Sequence, residues 1–534
     1  MKRLFTIMCT LLLSYCSFGF AAVVWDGTSK APWTKGSGTE SDPYLIETPA
    51  NLAYLSQQVQ DGNTYENVYF LQTDDIDLNN KSWTYIGINT SKPFSGIYDG
   101  GQKYVLNVKN YLFGYIKSAT IQNLSIAGAS TYSLISNAIG DITLTNCHNK
   151  SSSEISNGGA GLVSCAKYGW LTLKKCTNDA AISDAYTISI KTTGTWGQSY
   201  YKYEYFVGGL IAVANKLIIQ QCSNSAKIEI EKTIGGDKSF LRGSGIVGYA
   251  DTATISMSYN SGDINVSLGN GNSQDYSTIC AGIGTIGYGN VISSYNVGNI
   301  TSYCACNYAP LASSIGIVSG ANILAFCYSK GSISASVRNT ISSNTGYCST
   351  IGVGSAEECG NCYFAGYLNT SNMYVNNPHS YAVAVRGGAN CYCTTNCGAT
   401  DRDGVVDKKE ETMKSPSFVS LLNTDGDYFY PDYTNINDGY PVLRWQLEGV
   451  DFYTIKGLCR EEQGTITGTG AYPKGAEIQL TATPKDNFVF AGWSDGVTDN
   501  PRTIKVEGEA TYAAQFERIS YTIYVNQDCS VTVE

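Results

Sequence analysis

Short apolar runs recur along the chain, separated by glycines and polar turns rather than by helix-period stretches. Each copy opens with a glycine and an apolar strand, turns into a second apolar strand, passes a polar corner and ends in a third short strand. Four stretches show this best: VGGLIAVANKLIIQQCSNSAKIEI, GSGIVGYADTATISMSYNSGDINVS, AGIGTIGYGNVISSYNVGNITS and SIGIVSGANILAFCYSKGSISAS. Self-similarity of this kind indicates a solenoid, because each copy can bury its apolar strands only by stacking on its neighbours.

The polar corner marks the period of the repeat. It carries a cysteine or a serine, and successive copies stand 46, 36, 36, 33 and 35 residues apart. Three short strands per copy and no helical segment predict an all-β chain whose coils form a right-handed parallel β-helix. The corner residues are Cys176, Cys222, Ser258, Ser294, Cys327 and Cys362, with a weaker copy at Cys147.

A helical pattern precedes the first coils. Thr48 is a suitable N-cap, Pro49 suits the first helical position, and Gly62 would end the helix. We predict a short capping helix over the open end of the solenoid core. Its apolar residues share one face: Leu52, Leu55 and Val59.

From about Phe452 the pattern changes to period-two strands that alternate with Gly, Pro and Asp-Gly turns. This alternation predicts a separate small β domain. A second copy of its start begins at YTIYVNQDCSVTVE, which predicts a further, truncated repeat.

Composition supports the all-β prediction and narrows the range of partners. Only 15% of the 534 residues are charged, and 56 are Gly and 40 are Tyr, as expected for strands joined by many turns. The formal net charge is −10. Because nucleic acids and anionic lipids require a basic face, we expect neither to be the main partner.

The N-terminus has the pattern of a secretory signal peptide. A basic start precedes an apolar run from Leu4 to about Phe20, and two alanines follow it. No other run of about 18 apolar residues occurs, so we expect no transmembrane segment. Export would place the cysteines, 18 in the whole chain, in a compartment where disulfides form.

The corner cysteines leave two alternatives open. Small polarisable thiols suit an inward stack and can remain free. Stacking would also bring Cys176 and Cys222, or Cys327 and Cys362, within the Cα range that a disulfide tolerates.

A second cysteine group, Cys391, Cys393 and Cys397, has no histidine nearby. Zinc would need four thiolates here, and the spacing differs from that of a zinc ribbon. Disulfides that involve Cys359 are therefore the favoured interpretation.

Particular strings resemble known families of bacterial surface proteins. GLVSC, GGLIA and GIVGY, with the corner strings SYNSGDI and SYNVGNI, resemble the GLUG-repeat family over roughly residues 36–450. The WSDG–NPRTI string, Trp493 to Ile504, resembles the internalin-B-like bacterial repeat, a small β-grasp-like module. Both resemblances imply an exported, adhesin-like protein.

These patterns and resemblances divide the chain into six parts. They are the signal peptide (1–22), an N-terminal cap and leading segment (23–110), GLUG-like β-helix coils (111–400), a C-terminal closing segment (401–450), an internalin-B-like repeat (451–517) and the start of a second repeat (518–534).

Parallel β-helices also house polysaccharide lyases and glycoside hydrolases, so catalysis is the alternative function. Glycoside hydrolysis needs two carboxyl groups about 5–10 Å apart. The densest acidic string, at 74–77, places Asp75 and Asp77 on one strand face, and turn hydrogen bonds explain it better than chemistry. The coil strands carry almost no charge, and neither His148 nor His379 adjoins a nucleophile motif. We therefore predict no enzyme activity and no catalytic, cofactor-binding or metal-binding residues.

Long inserts rich in Tyr, Ser, Gly, Asn and Thr follow the third strand of each coil. Stacking would align them as loops along one edge, and their composition is that of binding loops. The candidate ligand-contact residues form the densest aromatic cluster: Trp196, Tyr200, Tyr201, Tyr203 and Tyr205.

The sequence therefore predicts a secreted or cell-surface, adhesin-like binding scaffold of a Gram-negative bacterium. Its partner would be a glycan or a surface protein, contacted through the tyrosine-rich loops.

Overall fold

The leading part of the chain combines short strands with one three-turn helix. A computed structural model describes residues 22–193, 199–233, 238–269, 275–306, 310–339, 347–373, 378–381, 384–400, 405–520, 523–525 and 531–533. The first elements are β1 (Val23–Val24), β2 (Tyr44–Ile46), α1 (Pro49–Gln60), β3 (Tyr69–Gln72), β4 (Ile76–Asp77) and β5 (Ile97–Leu106).

The repeated region that follows consists of strands joined by short turns. They are β6 (Phe113–Lys117), β7 (Thr120–Gly128), β8 (Ile135–Ile139), β9 (Ile142–Thr145), β10 (His148–Ser151), β11 (Val163–Lys174), β12 (Thr177–Asn178), β13 (Tyr186–Thr193), β14 (Ser199–Gly208), β15 (Ile211–Gln220), β16 (Ser223–Asn224), β17 (Ile228–Thr233), β18 (Lys238–Ser244), β19 (Val247–Ser256), β20 (Tyr259–Asn260), β21 (Ile264–Gly269), β22 (Asp275–Ala281), β23 (Gly284–Ile292), β24 (Tyr295–Asn296), β25 (Ile300–Cys306), β26 (Leu311–Ile315), β27 (Val318–Ala325), β28 (Tyr328–Ser329), β29 (Ile333–Asn339), β30 (Tyr347–Ile351), β31 (Gly354–Phe364), β32 (Leu368–Met373), β33 (Pro378–Tyr381), β34 (Ala384–Thr394) and β35 (Val405–Lys408).

The remaining elements are short helices and two small groups of strands. They are α2 (Glu410–Met413), α3 (Pro416–Leu422), β36 (Phe429–Tyr430), β37 (Val442–Leu443), a 3-10 helix (Arg444–Leu447), β38 (Phe452–Leu458), β39 (Gly464–Thr467), β40 (Gly470–Pro473), β41 (Glu477–Pro484), β42 (Phe488–Trp493), β43 (Arg502–Lys505), β44 (Ala510–Arg518), β45 (Ile523–Val525) and β46 (Val531–Val533).

One long strand per coil pairs in parallel with its counterpart in the next coil. The series runs β11, β15, β19, β23, β27, β31, and its register aligns Val163 with Ile211 and Ile211 with Val247. These side chains are fully buried, and each such burial contributes about 1.5–3 kcal/mol. Between Tyr104 and Leu368 the described strands pair in parallel, except β13 with β14. The predicted parallel β-helix is confirmed.

The glycine that opens each coil is required by close packing. A Cβ atom at Gly245 would lie 2.2 Å from the carbonyl oxygen of Gly282 and 2.3 Å from Cγ of Asn260. Neither neighbour can move, because one is backbone and the other is a buried amide. Any other residue here would force successive coils apart.

Each corner contains an asparagine whose amide links one coil to the next. Nδ2 of Asn224 donates to Oδ1 of Asn260 at 2.9 Å and to the Ala226 carbonyl at 2.9 Å. Nδ2 of Asn178 donates in turn to Oδ1 of Asn224 at 2.9 Å. All three amides are fully buried and satisfied, which makes the ladder favourable in a dry interior.

The corner cysteines stack beside these asparagines. Cys147, Cys176 and Cys222 are fully buried free thiols, and the backbone N–H of Cys176 lies 3.3 Å from Sγ of Cys222. Burial raises the pKa of the Cys147 thiol well above its usual range. In the other group, Sγ of Cys391 lies 3.4 Å from Sγ of Cys359. The disulfide that this pair would form stays a prediction.

We expect peptide mapping of the oxidised protein, without reduction, to separate the two groups. Cys147, Cys176 and Cys222 should remain free, because in-register positions on parallel strands lie about 4.8 Å apart, beyond the usual Cβ separation in a disulfide. Cys359 and Cys391 are placed diagonally and should form the bridge. A Cys176–Cys222 link would contradict this expectation.

The described residues of the inserts predicted as loops lie almost entirely in strands, so the loop prediction was wrong for them. β17, β21, β25, β29 and β32 form one sheet, and β13, β14, β18, β22, β26, β30 and β33 form another. The two sheets face each other, because Thr278 Oγ1 donates to the Tyr303 carbonyl at 3.1 Å and Ser314 Oγ to the Ser334 carbonyl at 2.6 Å. We call this pair of sheets the side sandwich. From β14 onward, a fourth strand therefore returns the chain to the next coil.

The predicted capping helix is confirmed. α1 begins after Thr48, whose Oγ1 accepts from the Asn51 N–H at 3.2 Å, and Pro49 occupies its first turn. Gly62 follows the helix with φ +110°, as a helix end requires. The predicted apolar face joins the solenoid core through Leu52, Leu55 and Val59, all fully buried.

The closing segment runs along the side of the coils and covers part of a tyrosine stack. Tyr259, Tyr295, Tyr328 and Tyr363 lie one per coil, with ring centroids 4.9, 4.8 and 5.0 Å apart and nearly parallel planes. Rings of the closing segment pack on the stack: Phe418, Phe429, Tyr440 and Trp445.

The C-terminal module consists of two small sheets around one apolar core. One sheet has the order β40-β38-β44-β42, and the other β39-β41-β43. Trp493 is buried, and its Nε1 donates to the Asp499 carbonyl at 2.9 Å. The Arg502 guanidinium packs over the rings of Trp493 and Tyr512 and pairs with Asp495 at 2.8 Å. The WSDG–NPRTI string is therefore structural.

Candidate functional site

The four tyrosines of the predicted aromatic cluster belong to β14, a strand paired on both sides. Tyr203 is half-buried and Tyr205 only 7% exposed, and their rings stack 6.4 Å apart among the core residues. Tyr205 thus offers almost no surface to a ligand. Trp196 and the side chains of Tyr200 and Tyr201 lie outside the described residues, so their ligand-contact role stays a prediction.

A different set of aromatic side chains is exposed on the long strands of the solenoid. Tyr168 is 80% exposed, Trp170 36% and Tyr288 63%, and Ile323 adds an exposed aliphatic side chain. We call these four residues and Lys216 the edge row. Parallel register aligns them in one row across successive coils, since Trp170 pairs with Lys216, Lys216 with Thr252, and Thr252 with Tyr288. Two strands separate Trp170 from Tyr288.

Irregular backbone turns the edge row outward. The strand register shifts between Ala166 and Trp170, and Tyr168 adopts a left-handed φ of +61°. This conformation is strained for a bulky aromatic residue and is a feature of functional sites. Only glycine fits at position 169, between Tyr168 and Trp170, because a Cβ atom there would lie 2.2 Å from the backbone of Gly140.

The Lys216 ammonium group lies near the Trp170 ring of the edge row. Nζ of Lys216 lies 5.8 Å from the ring centroid of Trp170, within the range of a cation–π contact. The lysine charge and the indole face are thus presented together. Sequence reasoning missed these residues, although an aromatic beside a glycine between two apolar half-strands (KYGW and GYG) was a visible signal.

The acidic string at 74–77 has structural partners. Asp77 Oδ1 accepts from the Asn79 N–H at 2.7 Å and from Asn107 Nδ2 at 2.8 Å. Asp75 Oδ1 accepts from the Tyr104 N–H at 2.9 Å. The Asn79 bond is a turn hydrogen bond, as expected from the sequence, and the bonds to Tyr104 and Asn107 tie the leading segment to the next coil.

The two histidines also make local contacts. His148 is half-buried, with Nδ1 2.9 Å from Thr177 Oγ1 and Nε2 2.9 Å from Asn146 Oδ1. Burial lowers its pKa below the usual value. His379 stacks on Tyr381 at 5.6 Å.

Among the described residues, no group of three or more His, Cys, Asp or Glu side chains has the arrangement of a metal site. Within the same part of the chain, no helix combines the length and the apolar character needed to span a bilayer.

Comparisons with known proteins add information on the C-terminal module. No curated protein matches the chain. Similar solved structures include a candidate immunoglobulin A1 protease from Bacteroides ovatus (15% identity, TM-score 0.29, 77% of this chain and 95% of that one). Another is the SRRP of L. reuters 100-23 (14% identity, TM-score 0.23, 68% and 98%). Likeness at these scores carries no functional argument.

The divergent InlB B-repeat family matches residues 458–520, which confirms the internalin-B-like prediction for that module.

Proposed function

We propose that this protein is an exported, adhesin-like scaffold that binds a surface glycan or protein through the edge row. The observation that carries the proposal is the set of exposed rings of Tyr168, Trp170 and Tyr288 along one parallel sheet, with Trp170 and Tyr288 three strand spacings apart. An open patch of aromatic side chains on a monomeric surface is typical of an interaction site.

The edge row has the composition and rigidity of a binding hot spot. Trp and Tyr dominate such sites because they offer large contact area and lose little conformational entropy. The side chains of a binding site are positioned more precisely on paired strands than on loops. Lys216 beside Trp170 adds a cation that can contact an acidic or hydroxyl group of the partner.

We propose further that residues 36–450 are GLUG repeats and that residues 1–22 direct export. The protein is then displayed on a Gram-negative cell and binds its partner without catalysis and without a cofactor. The match of the divergent InlB B-repeat family at residues 458–520 supports this proposal, because the internalin-B-like repeat is a module of exported bacterial surface proteins.

Replacing Trp170 and Tyr288 together by alanine should weaken partner binding at least tenfold, since two hot-spot rings contribute about 2 kcal/mol or more. The labelled protein would be screened on an array of glycans and extracellular-matrix proteins, and Kd measured for the strongest binder by biolayer interferometry. Tyr347→Ala is the matched control, because Tyr347 is as exposed as Tyr288, at 63%, but lies in the side sandwich.

Equal binding by the double variant and the wild type would refute the edge row as the contact surface. Release of reducing ends from any bound polysaccharide, measured in the same samples, would instead favour the glycan-degrading alternative.

A further inference from the structure

A groove of about 770 Å³ lies where the coils, the closing segment and the C-terminal module meet. It is separate from the edge row, since it lies at the C-terminal ends of the long strands, where each coil turns into its corner. Its lining comes from all three parts of the chain. Its lining includes Met257, Asp427, Tyr428, Arg444, Glu448 and Phe452.

The floor of the groove is a row of left-handed residues that precede the corners. Met257 and Ser293 form it, with φ values of +49° and +50°. At one end, Glu448 Oε2 accepts from Gln221 Nε2 at 3.2 Å, and at the other Tyr428 stacks on Phe326 at 3.6 Å. The closing segment thus touches the row on both sides of Met257 and Ser293. The opening between these two contacts is about two coils wide, roughly 10 Å.

The walls present aromatic rings that are already held in place. Trp445 Nε1 donates to the Ser293 carbonyl at 2.8 Å, and the Tyr430 ring meets Phe452 edge-on at 5.7 Å. Tyr428 and Phe452 each remain 37% exposed, so ring surface faces the opening. A ligand that binds here meets pre-ordered rings and pays little entropy for their positions.

Three charged side chains surround these rings. The Arg444 guanidinium lies over the Tyr430 ring at 6.0 Å and, among the described residues, pairs with no carboxylate. Asp427 and Glu448 are also exposed at the groove. One cation and two carboxylates leave the groove negative, on a chain whose net charge is −10. An anionic ligand would be repelled.

We infer that this groove binds an uncharged oligosaccharide. Sugar rings carry apolar C–H faces that stack on aromatic side chains, and hydroxyl groups that both donate and accept hydrogen bonds. Tyr428 and Phe452 supply the stacking surface, Asp427 and Glu448 accept from hydroxyl groups, and Arg444 donates to them. The site goes beyond the proposed function, since neither the edge row nor the side sandwich takes part in it.

The test is isothermal titration calorimetry of the full chain with uncharged cello-, xylo-, malto-, manno- and galacto-oligosaccharides. Oligosaccharides of uronic acids and sialylated glycans form the second arm. At least one uncharged oligosaccharide should bind, and the Phe452→Ala, Tyr428→Ala double variant should bind it at least tenfold more weakly. Arg444→Gln, a change of an exposed side chain, should lower binding without affecting folding, and thermal unfolding of each variant checks this.

Variants outside the groove distinguish failure of this inference from failure of the edge-row proposal. The Trp170→Ala, Tyr288→Ala double variant and Tyr347→Ala should bind the uncharged oligosaccharide as the wild type does. Binding of no uncharged oligosaccharide, or binding that all groove variants retain, would overturn the inference and leave the edge-row proposal standing. Stronger binding of the acidic series would overturn the assigned ligand class.

Discussion

Tyr363→Ala is expected to lower the free energy of unfolding by about 4 kcal/mol, the usual range for removing a large buried aromatic ring. Tyr363 is fully buried between Tyr328 and rings of the closing segment. Its hydroxyl donates to the Pro441 carbonyl and accepts from Asn437 Nδ2 at 2.9 Å. The substitution leaves a cavity beneath the closing segment and removes both hydrogen bonds of the hydroxyl, whereas Asn437 Nδ2 and the Pro441 carbonyl stay bonded to each other at 3.0 Å.

The expected result is a lower denaturation midpoint together with faster proteolysis within the closing segment. Urea unfolding and limited proteolysis followed by mass spectrometry measure the two effects. Tyr367→Ala is the control, because Tyr367 follows in the same coil but is 55% exposed. Equal resistance to protease in Tyr363→Ala and the wild type would show that the tyrosine stack does not hold the closing segment.

Asn224→Ala should cost about 3 kcal/mol, because it removes the central member of a buried amide ladder. Asn178 Nδ2 loses one of its two acceptors, while Asn260 Oδ1 and the Ala226 carbonyl lose their donor. Each buried polar group left without a partner costs about 1–3 kcal/mol. Weakening one coil interface also lowers the stability that adjacent coils share.

The measurement for the ladder is urea unfolding monitored by tryptophan fluorescence and circular dichroism. Asn265→Ala is the matched control, since Asn265 lies in β21 of the adjacent coil and is exposed. A stability loss of the same size in both variants would argue that the corner amides contribute no more than surface asparagines.

The apolar pattern predicted the long strands because their buried positions are large and aliphatic. Leu217 and Ile219 stand out against polar neighbours, and their strands stack as expected. The helix α1 was predictable for a local reason, since Thr48 and Pro49 specify its start regardless of what surrounds it. Trp493 and its neighbours likewise marked the C-terminal module through a string of fixed spacing.

The inserts were misinterpreted because their buried positions carry a weak signal. In β25 and β29, the interior side chains include Ser302, Cys304 and Ala335, which are small or polar and resemble loop residues in a sequence. They become core only because a second sheet covers them. Tyr205 was expected on an open face, but in the side sandwich its side chain is buried.

The sequence by itself determined the coil period, the all-β class, the helix at the start and the module at the end. These depend on local periodicity and on motifs that a single segment carries. The tertiary structure decided which aromatic side chains are exposed. Trp170 and Tyr288 are far apart in the chain and fall into one row only through the register of successive coils. The groove exists only because the closing segment folds back onto the coils. Exposure is a property of packed neighbours, which no local pattern contains.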